Sequence, residues 1–546
     1  MNMKTSTFDM PYRHLSTGNF ADIIPFYAQE VMPGDSFSIT TRLFSRMSTP
    51  LYPVMDDAWI DYYYFFVPNR LVWSHWAEFL GENKYAAWAQ EIEYIVPHAK
   101  VIPEVGSVYD HFGVPTYSAD NAVAQRLGGR PSLDIGFLLP RMYHLIYNEW
   151  FRNENTTDPI IVNTGDDVSV EEVARFQTLC KAAKPFDAFT SALPAPQKGD
   201  EVDIPLIGNA PVVTNDKYVG NNETFIESPS KYPLQWGGVG KGRYISDARI
   251  LQFDWDMDAS AYGMTKIQNA AAGSGLFPVA PVNLEADLSA VSAATVNQLR
   301  QAFQMQRLLE LQARSGTRYT EIIKASFGVT SPDARLQRPE YLGGSKVRIQ
   351  MQQVTQTSAS DAESPLGKVG AYSKTVSMNH DFSKAFTEHG YIIGVAVARH
   401  SLTYSQGLHK MWTRRGRYDF YWPSFANIGE QPIFRRELFA TGNEEEDGNV
   451  FGYQEAWYEY RTKPNELSDM FRPTVEGNLD EWHYGEYYED APLLSDGWMN
   501  ASANNVDRTL AVTSALHHQL LFDFNVDCKA TRVMPLYSIP GLIDHF

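Results

Sequence analysis

Cysteine is nearly absent from this chain: Cys180 and Cys528 are the only two in 546 residues. So sparse a pair, so far apart, excludes a disulfide-stapled scaffold and fits a reducing compartment, where both are expected as free thiols. Positive charge is also short. Lys and Arg number 46 against 65 Asp and Glu, for a net charge of −19. A chain that neutralised phosphates over its whole surface would carry the opposite balance, which leaves room only for a locally basic face. Long apolar runs are missing as well. The longest, near Tyr391–Ala398, falls far short of the ~20 residues that span a bilayer. Met1–Leu15 has neither the apolar stretch nor the cleavage-site pattern of a signal peptide. A soluble protein made in the cytoplasm, with no membrane association, is expected.

The signatures of catalysis are missing too. Gly237-Gly238-Val239-Gly240-Lys241-Gly242 lacks the spacing of a phosphate-binding loop and the Ser or Thr after its Lys, so it reads as a loop. No HExxH, CxxC or GxSxG occurs, and His517-His518 has no paired ligand at metal spacing. The acidic run Glu444-Glu445-Glu446-Asp447 lies between Gly442 and Gly448. Four adjacent acids make a solvated loop tip or an ion-binding turn, the opposite of the desolvated pocket a general acid needs. No catalytic residue, metal or cofactor is expected.

What the chain does have is aromatic rings and alternation. Hydrophobic residues make up 44% and aromatics 13%, enough for a large core with apolar surface to spare. Phe37, Ile39, Thr41 and Leu43 alternate with polar neighbours, as do Ala58, Ile60, Tyr62, Tyr64 and Phe66 before Pro68. Leu520, Phe522, Phe524, Val526 and Cys528 repeat the pattern, and Val347, Ile349 and Met351 do so after an apparent Gly343-Gly344 turn. Tyr391–Thr403 is more uniformly apolar, as a strand buried on both faces would be. Between these strands the connections are too long to lack structure. Helices are expected over Val296–Arg314, with a broad apolar surface to bury, and over Leu71–Gln90, which carries Trp73, Trp76 and Trp88. Asp200–Pro281 is rich in Gly, Asn and Pro and lacks periodicity. The pattern as a whole is all-β with long helical and irregular insertions.

One cluster invites a binding role. Lys410, Trp412, Arg414, Arg415, Arg417 and Tyr418 interleave cations with rings. That mixture suits single-stranded DNA, where phosphates pair with Arg and bases stack on aromatic faces. It suits a subunit interface equally, since Arg and Trp are enriched there. Trp73, Trp76, Trp88 and Trp457 are candidate interface anchors for the same reason.

Several longer motifs carry a resemblance. They are Tyr62-Tyr63-Tyr64-Phe65-Phe66-Val67-Pro68-Asn69-Arg70, Glu388-His389-Gly390-Tyr391-Ile392-Ile393-Gly394 and Arg417-Tyr418-Asp419-Phe420-Tyr421-Trp422-Pro423. Asn427-Ile428-Gly429-Glu430-Gln431, Phe451-Gly452-Tyr453-Gln454-Glu455-Ala456-Trp457 and Met534-Pro535-Leu536-Tyr537-Ser538-Ile539-Pro540-Gly541-Leu542 follow in order. Together they resemble the major capsid proteins of the gokushovirus branch of the Microviridae, small phages with circular single-stranded DNA. The resemblance implies one viral eight-stranded jelly-roll β-sandwich over residues 1–546, in a T=1 icosahedral shell around the genome. Ser36–Met47 would be its first strand and His518–Lys529 its last, side by side, with Asp57–Val67 beside Tyr391–Thr403 in the opposite sheet. Asp200–Pro281 would be a surface insertion between the fifth and sixth strands, clustered at the threefold axes, and a candidate receptor contact. Residues 405–515 would form the long loop before the last strand. The implied partners are further copies of the chain, an internal scaffolding protein, a minor pilot protein, a small basic DNA-binding protein and a host receptor. A carbohydrate-binding or carbohydrate-cleaving β-sandwich is the competing class, because rings and carboxylates also build sugar sites. Closed particles under the electron microscope would separate the two.

Overall fold

Period-two burial along the chain produces a structure that is mostly β-sheet with few helices. The computed structural model describes residues 5–82, 94–200, 202, 296–358, 365–500 and 504–537, and four short strands at Val212–Thr214, Trp236–Gly238, Val279–Pro281 and Leu284–Ala286. Eight longer strands make the framework: β1 (Ser6–Gly18), β2 (Ile24–Val31), β3 (Ser36–Met47), β4 (Ala58–Pro68), β5 (Glu340–Arg348), β6 (Thr375–Ala385), β7 (Gly390–His400) and β8 (Leu520–Arg532). They form two four-stranded sheets, ordered β1-β8-β3-β6 and β5-β4-β7-β2, with every pairing antiparallel.

The core between the sheets is built from alternate residues. Phe37, Ile39 and Leu43 of β3 and Phe522, Phe524 and Val526 of β8 meet Ile60, Tyr62 and Tyr64 of β4 and Ile392 and Ala396 of β7. Phe26 of β2 stacks on Phe524 of the other sheet at 4.1 Å. Each such side chain contributes roughly 1.5–3 kcal/mol on burial. The intervening residues Phe65, Val67, Ile393, Val395 and Val397 point the other way, into a second core. That core is closed by helix α1 (Leu138–Ile146) through Leu138, Met142, Tyr143 and Ile146. The Tyr143 hydroxyl donates to the Ile23 carbonyl at 2.8 Å. Arg141 and Glu172 are buried beside it, paired at 2.7 Å. With both faces covered, β4 and β7 have no polar side, which accounts for the unbroken apolar run in β7. A third core lies largely in the segment between β7 and β8, where Leu402, Ile433, Leu438, Phe451, Trp498 and Met499 pack together.

Several expectations need correction. Ser36–Met47 is the third strand, not the first. Sequence alternation missed β1 because only Gly18 of it is buried and Pro11 interrupts it. It missed β2 because four consecutive residues there are buried. β8 does lie beside β3, and β4 beside β7. Counting β1 and β2 puts the 200–281 stretch between the fourth and fifth strands rather than between the fifth and sixth. Gly343-Gly344 is no turn. The pair sits inside β5, where a Cβ on Gly344 would collide with the Tyr62 carbonyl and one on Gly343 with the Asp381 carbonyl. The alternation through Met351 is broken as well, since β5 ends at Arg348 and Met351–Thr355 pairs with Val369–Ser373 instead. The helix expected over Leu71–Gln90 reduces to one turn at Trp76–Phe79, with residues 83–93 outside the described residues. Cys180 and Cys528 are free thiols, and burial pushes the Cys180 thiol up to about 12.

The chain divides into two compact units, Met1–Gly199 with Leu309–Phe546, and Asp200–Leu308. In the second, Val212–Thr214 pairs with Leu284–Ala286 and Trp236–Gly238 with Val279–Pro281. Helix α2 (Val296–Ser315) forms as its spacing predicts, yet none of its residues is buried.

Candidate assembly and nucleic-acid surface

The cation and ring cluster falls where the chain has no long elements. From Lys410 to Phe425 the backbone is held by three short turns, Lys410–Trp412, Arg417–Asp419 and Pro423–Phe425. Local hydrogen bonds set its course. The Asp419 carboxylate accepts from the amides of Arg415 and Gly416 at 2.8 and 2.7 Å. Those bonds favour its charged form and hold its carboxyl below the usual range. The Trp422 indole N–H donates to the Arg417 carbonyl at 3.1 Å, and that of Trp457 to the Phe425 carbonyl at 2.9 Å.

The four cations are not equivalent. Arg414 pairs with Glu459 at 2.9 Å, and their side chains are only 10% and 2% exposed. Its guanidinium also stacks 4.5 Å from the Tyr460 ring and 5.4 Å from Phe420. Lys410 sits over the Tyr458 ring at 5.3 Å, and Arg417 over Trp422 at 5.1 Å. Arg415 alone projects freely, 88% exposed and 3.9 Å from an equally exposed Glu444. Trp412 and Tyr418 stand 73% and 68% exposed. Sequence reasoning placed Tyr460 in a candidate anchor segment, Tyr453–Tyr460, but did not single out Phe420, Tyr421 or Trp422 as part of this surface, although all four are exposed beside it. The three adjacent rings at 420–422 were the available signal.

Beneath the cluster lies a cavity of about 190 Å³, walled in part by Tyr404, Ser405, Trp412, Glu437, Tyr458 and Glu459. Glu437 accepts from the Tyr458 hydroxyl and from the Phe434 amide. Burial raises the Glu437 carboxyl, partly offset by those bonds and by Lys410. This set binds and braces; it contains no nucleophile with a positioned base. Among the described residues no group of three or more His, Cys, Asp or Glu is placed to hold a metal, and no helix is long and apolar enough to cross a membrane.

Two of the expected interface anchors are interior residues. Trp73 is fully buried and donates its indole N–H to Asp166 at 2.6 Å. Trp457 is 6% exposed and packs against Tyr421 and Tyr460. Neither has surface left to bury against a neighbour, which corrects the anchor assignment for both. Trp76 is partly buried, edge-on to His389 at 5.6 Å, and Trp88 lies outside the described residues.

A two-layer framework with long, structured connections and an uncovered aromatic surface is suited to assembly. Comparison with known proteins decides which kind. The profile of the family described as "Capsid protein (F protein)" matches residues 1–542. The chain belongs to that capsid family. It is similar to the "Capsid protein VP1" of Bdellovibrio phage phiMH2K, 40% identical over 551 residues that cover 99% of this chain and 96% of the relative. It is 34% identical to the VP1 of Chlamydia phage 1 over 593 residues (99% and 96% covered) and 36% to that of Spiroplasma virus 4 over 558 (98% and 95%). This capsid protein is therefore a structural major capsid protein of the Microviridae, a virion component and not an enzyme.

Proposed function

We propose that this capsid protein closes into a T=1 icosahedral shell around a circular single-stranded DNA genome, and that its sandwich is a viral jelly roll. The observation that carries the shell is the family correspondence along nearly the whole chain, residues 1–542. The jelly roll is supported by the order of the eight strands, which run 1-8-3-6 in one sheet and 5-4-7-2 in the other. That order is two Greek keys wound from one long folded ribbon, with first and last strands adjacent. Assembly takes place in the host cytoplasm with the help of an internal scaffolding protein. A minor pilot protein joins the shell, and a small basic DNA-binding protein neutralises the genome. A subunit of net charge −19 needs such a partner to hold phosphates. The 200–281 insertion forms a threefold protrusion on the single capsid domain and makes the receptor contact. Electron microscopy of the purified protein tests the shell: closed icosahedral particles are expected, and a monodisperse monomer under all assembly conditions would overturn it.

A further inference from the structure

We infer that the aromatic arm at 408–428 is a subunit–subunit contact and that its occupant is a second copy of this chain. The inference rests on the shell reading above. Its physical basis is the area left uncovered. Trp412, Tyr418, Phe420, Tyr421, Trp422 and Tyr460 are all large and exposed. At 150–250 Å² per ring and about half exposure, they present on the order of 600 Å² of apolar-rich surface. A stable interface of ordinary size buries about 800 Å² per partner, so this one arm supplies most of one side.

Five of the rings fall into two groups, each held together by an arginine. Arg414 bridges Tyr460 and Phe420, Arg417 bridges Trp422 and Tyr418, and Tyr421 packs on Tyr460 at 6.0 Å. They are also preorganised. The turns and indole hydrogen bonds that fix the backbone are already made in the isolated subunit. Little ordering entropy remains to be lost on contact, which favours association.

Charge selects the occupant. Arg414 is consumed by Glu459 inside the subunit, and Lys410 and Arg417 lie against rings. One freely projecting cation and one that stacks on Trp422 are a thin supply for a phosphate backbone. They are well suited to the rim of an aromatic patch that meets an acidic partner, and a second copy of this chain, with 65 acidic residues against 46 basic, is acidic overall.

The test compares the wild-type protein with Trp412→Glu/Tyr418→Glu and, separately, Arg415→Gln/Arg417→Gln. Particle yield is read by sedimentation, the fold by circular dichroism and subunit melting, and the DNA content of purified particles by absorbance. Two buried carboxylates at the contact are expected to cut particle yield at least tenfold with the melting temperature of the subunit unchanged. The Arg variant is expected to assemble with weaker particles and normal DNA content. Normal particle yield from the Glu variant overturns the inference. So does normal assembly of the Arg variant with depleted DNA, which would assign the arm to the genome. Should the Glu variant fail to fold, Tyr418→Ser replaces it. That change removes an exposed ring and is expected to lower the dissociation temperature of particles but not the melting of subunits; an unchanged dissociation temperature overturns the inference. Wild-type protein that never forms particles would instead sink the shell reading, a failure distinct from any of these.

Discussion

Trp457 shows how much one buried side chain decides. Its backbone is left-handed, at φ 65°, a conformation unfavourable for a bulky residue, and it holds there because the ring is enclosed and the indole caps Phe425. Trp457→Ala is expected to cost about 3–5 kcal/mol of subunit stability in denaturant unfolding, rather than to spare the fold and block assembly. Arg414 acts in the same way. Arg414→Ala strands a buried Glu459 carboxylate and is expected to destabilise the subunit by about 3 kcal/mol, whereas Arg415→Ala, fully in solvent, should leave the unfolding midpoint where it is. Asp381 makes the pH dependence testable. It accepts from the Thr41 hydroxyl at 2.6 Å, and Thr41 shares a hydrogen bond with Tyr64 at 2.7 Å. Burial raises its carboxyl from 3.8 to about 6. A folded-state value above the unfolded one means the folded protein binds the proton more tightly. The associated stability is fully present below about 3.8 and is lost as pH rises through about 6. Between pH 5 and 7 the wild type should therefore lose stability relative to Asp381→Asn, by on the order of 1–2 kcal/mol given partial exposure. Parallel slopes for the two proteins would remove Asp381 from the account.

At the scale of elements, the close crossing of β5 and β4 is the most exacting contact. Gly344→Ala would drive a methyl group into the Tyr62 carbonyl, so the two strands must separate or slip. A loss of about 1–3 kcal/mol is expected, read as a lowered unfolding midpoint, with the reduction concentrated in amide exchange along Glu340–Arg348. The same pair explains part of what the sequence concealed. A Gly-Gly step signals a turn by composition, but here it permits a backbone to approach within a sheet, and only the partner strand reveals which. β3, β4, β7 and β8 were legible because one or both of their faces enter a core and the pattern follows. β1 was not, since it is held by its ladder with β8 and by ion pairs such as Arg13–Asp523 at 2.7 Å rather than by an apolar face. The arm was half legible. Its cations and two rings stood out, while the internal capture of Arg414 depends on Glu459, 45 residues away in sequence.

For the molecule as a whole, the division into two units sets the expectation for the insertion. Asp200–Leu308 is compact in its own right. Replacing residues 216–275 with a short Gly/Ser linker changes loop-closure entropy by little, about 0.6 kcal/mol for each doubling of length. The sandwich should still form, as soluble β-rich protein with an unchanged far-ultraviolet spectrum, and particles carrying the deletion should fail to adsorb to host cells. Insoluble protein would mean that the segment belongs to the folding core. Adsorption at the wild-type rate would rule the segment out as the receptor contact.

The position of β8 has a consequence in time. It lies between β1 and β3, and its partners were translated some five hundred residues earlier: Ser6 pairs with Arg532 and Gly18 with Leu520. Until the ribosome has passed residue 532, one sheet has a gap at its second place and Phe26 has no ring to stack on. A nascent or prematurely terminated chain therefore cannot complete the sandwich, however much of its length has been made. Only chains that carry β8 can close that sheet, so the strand order leaves any shorter fragment with open edges on both β1 and β3.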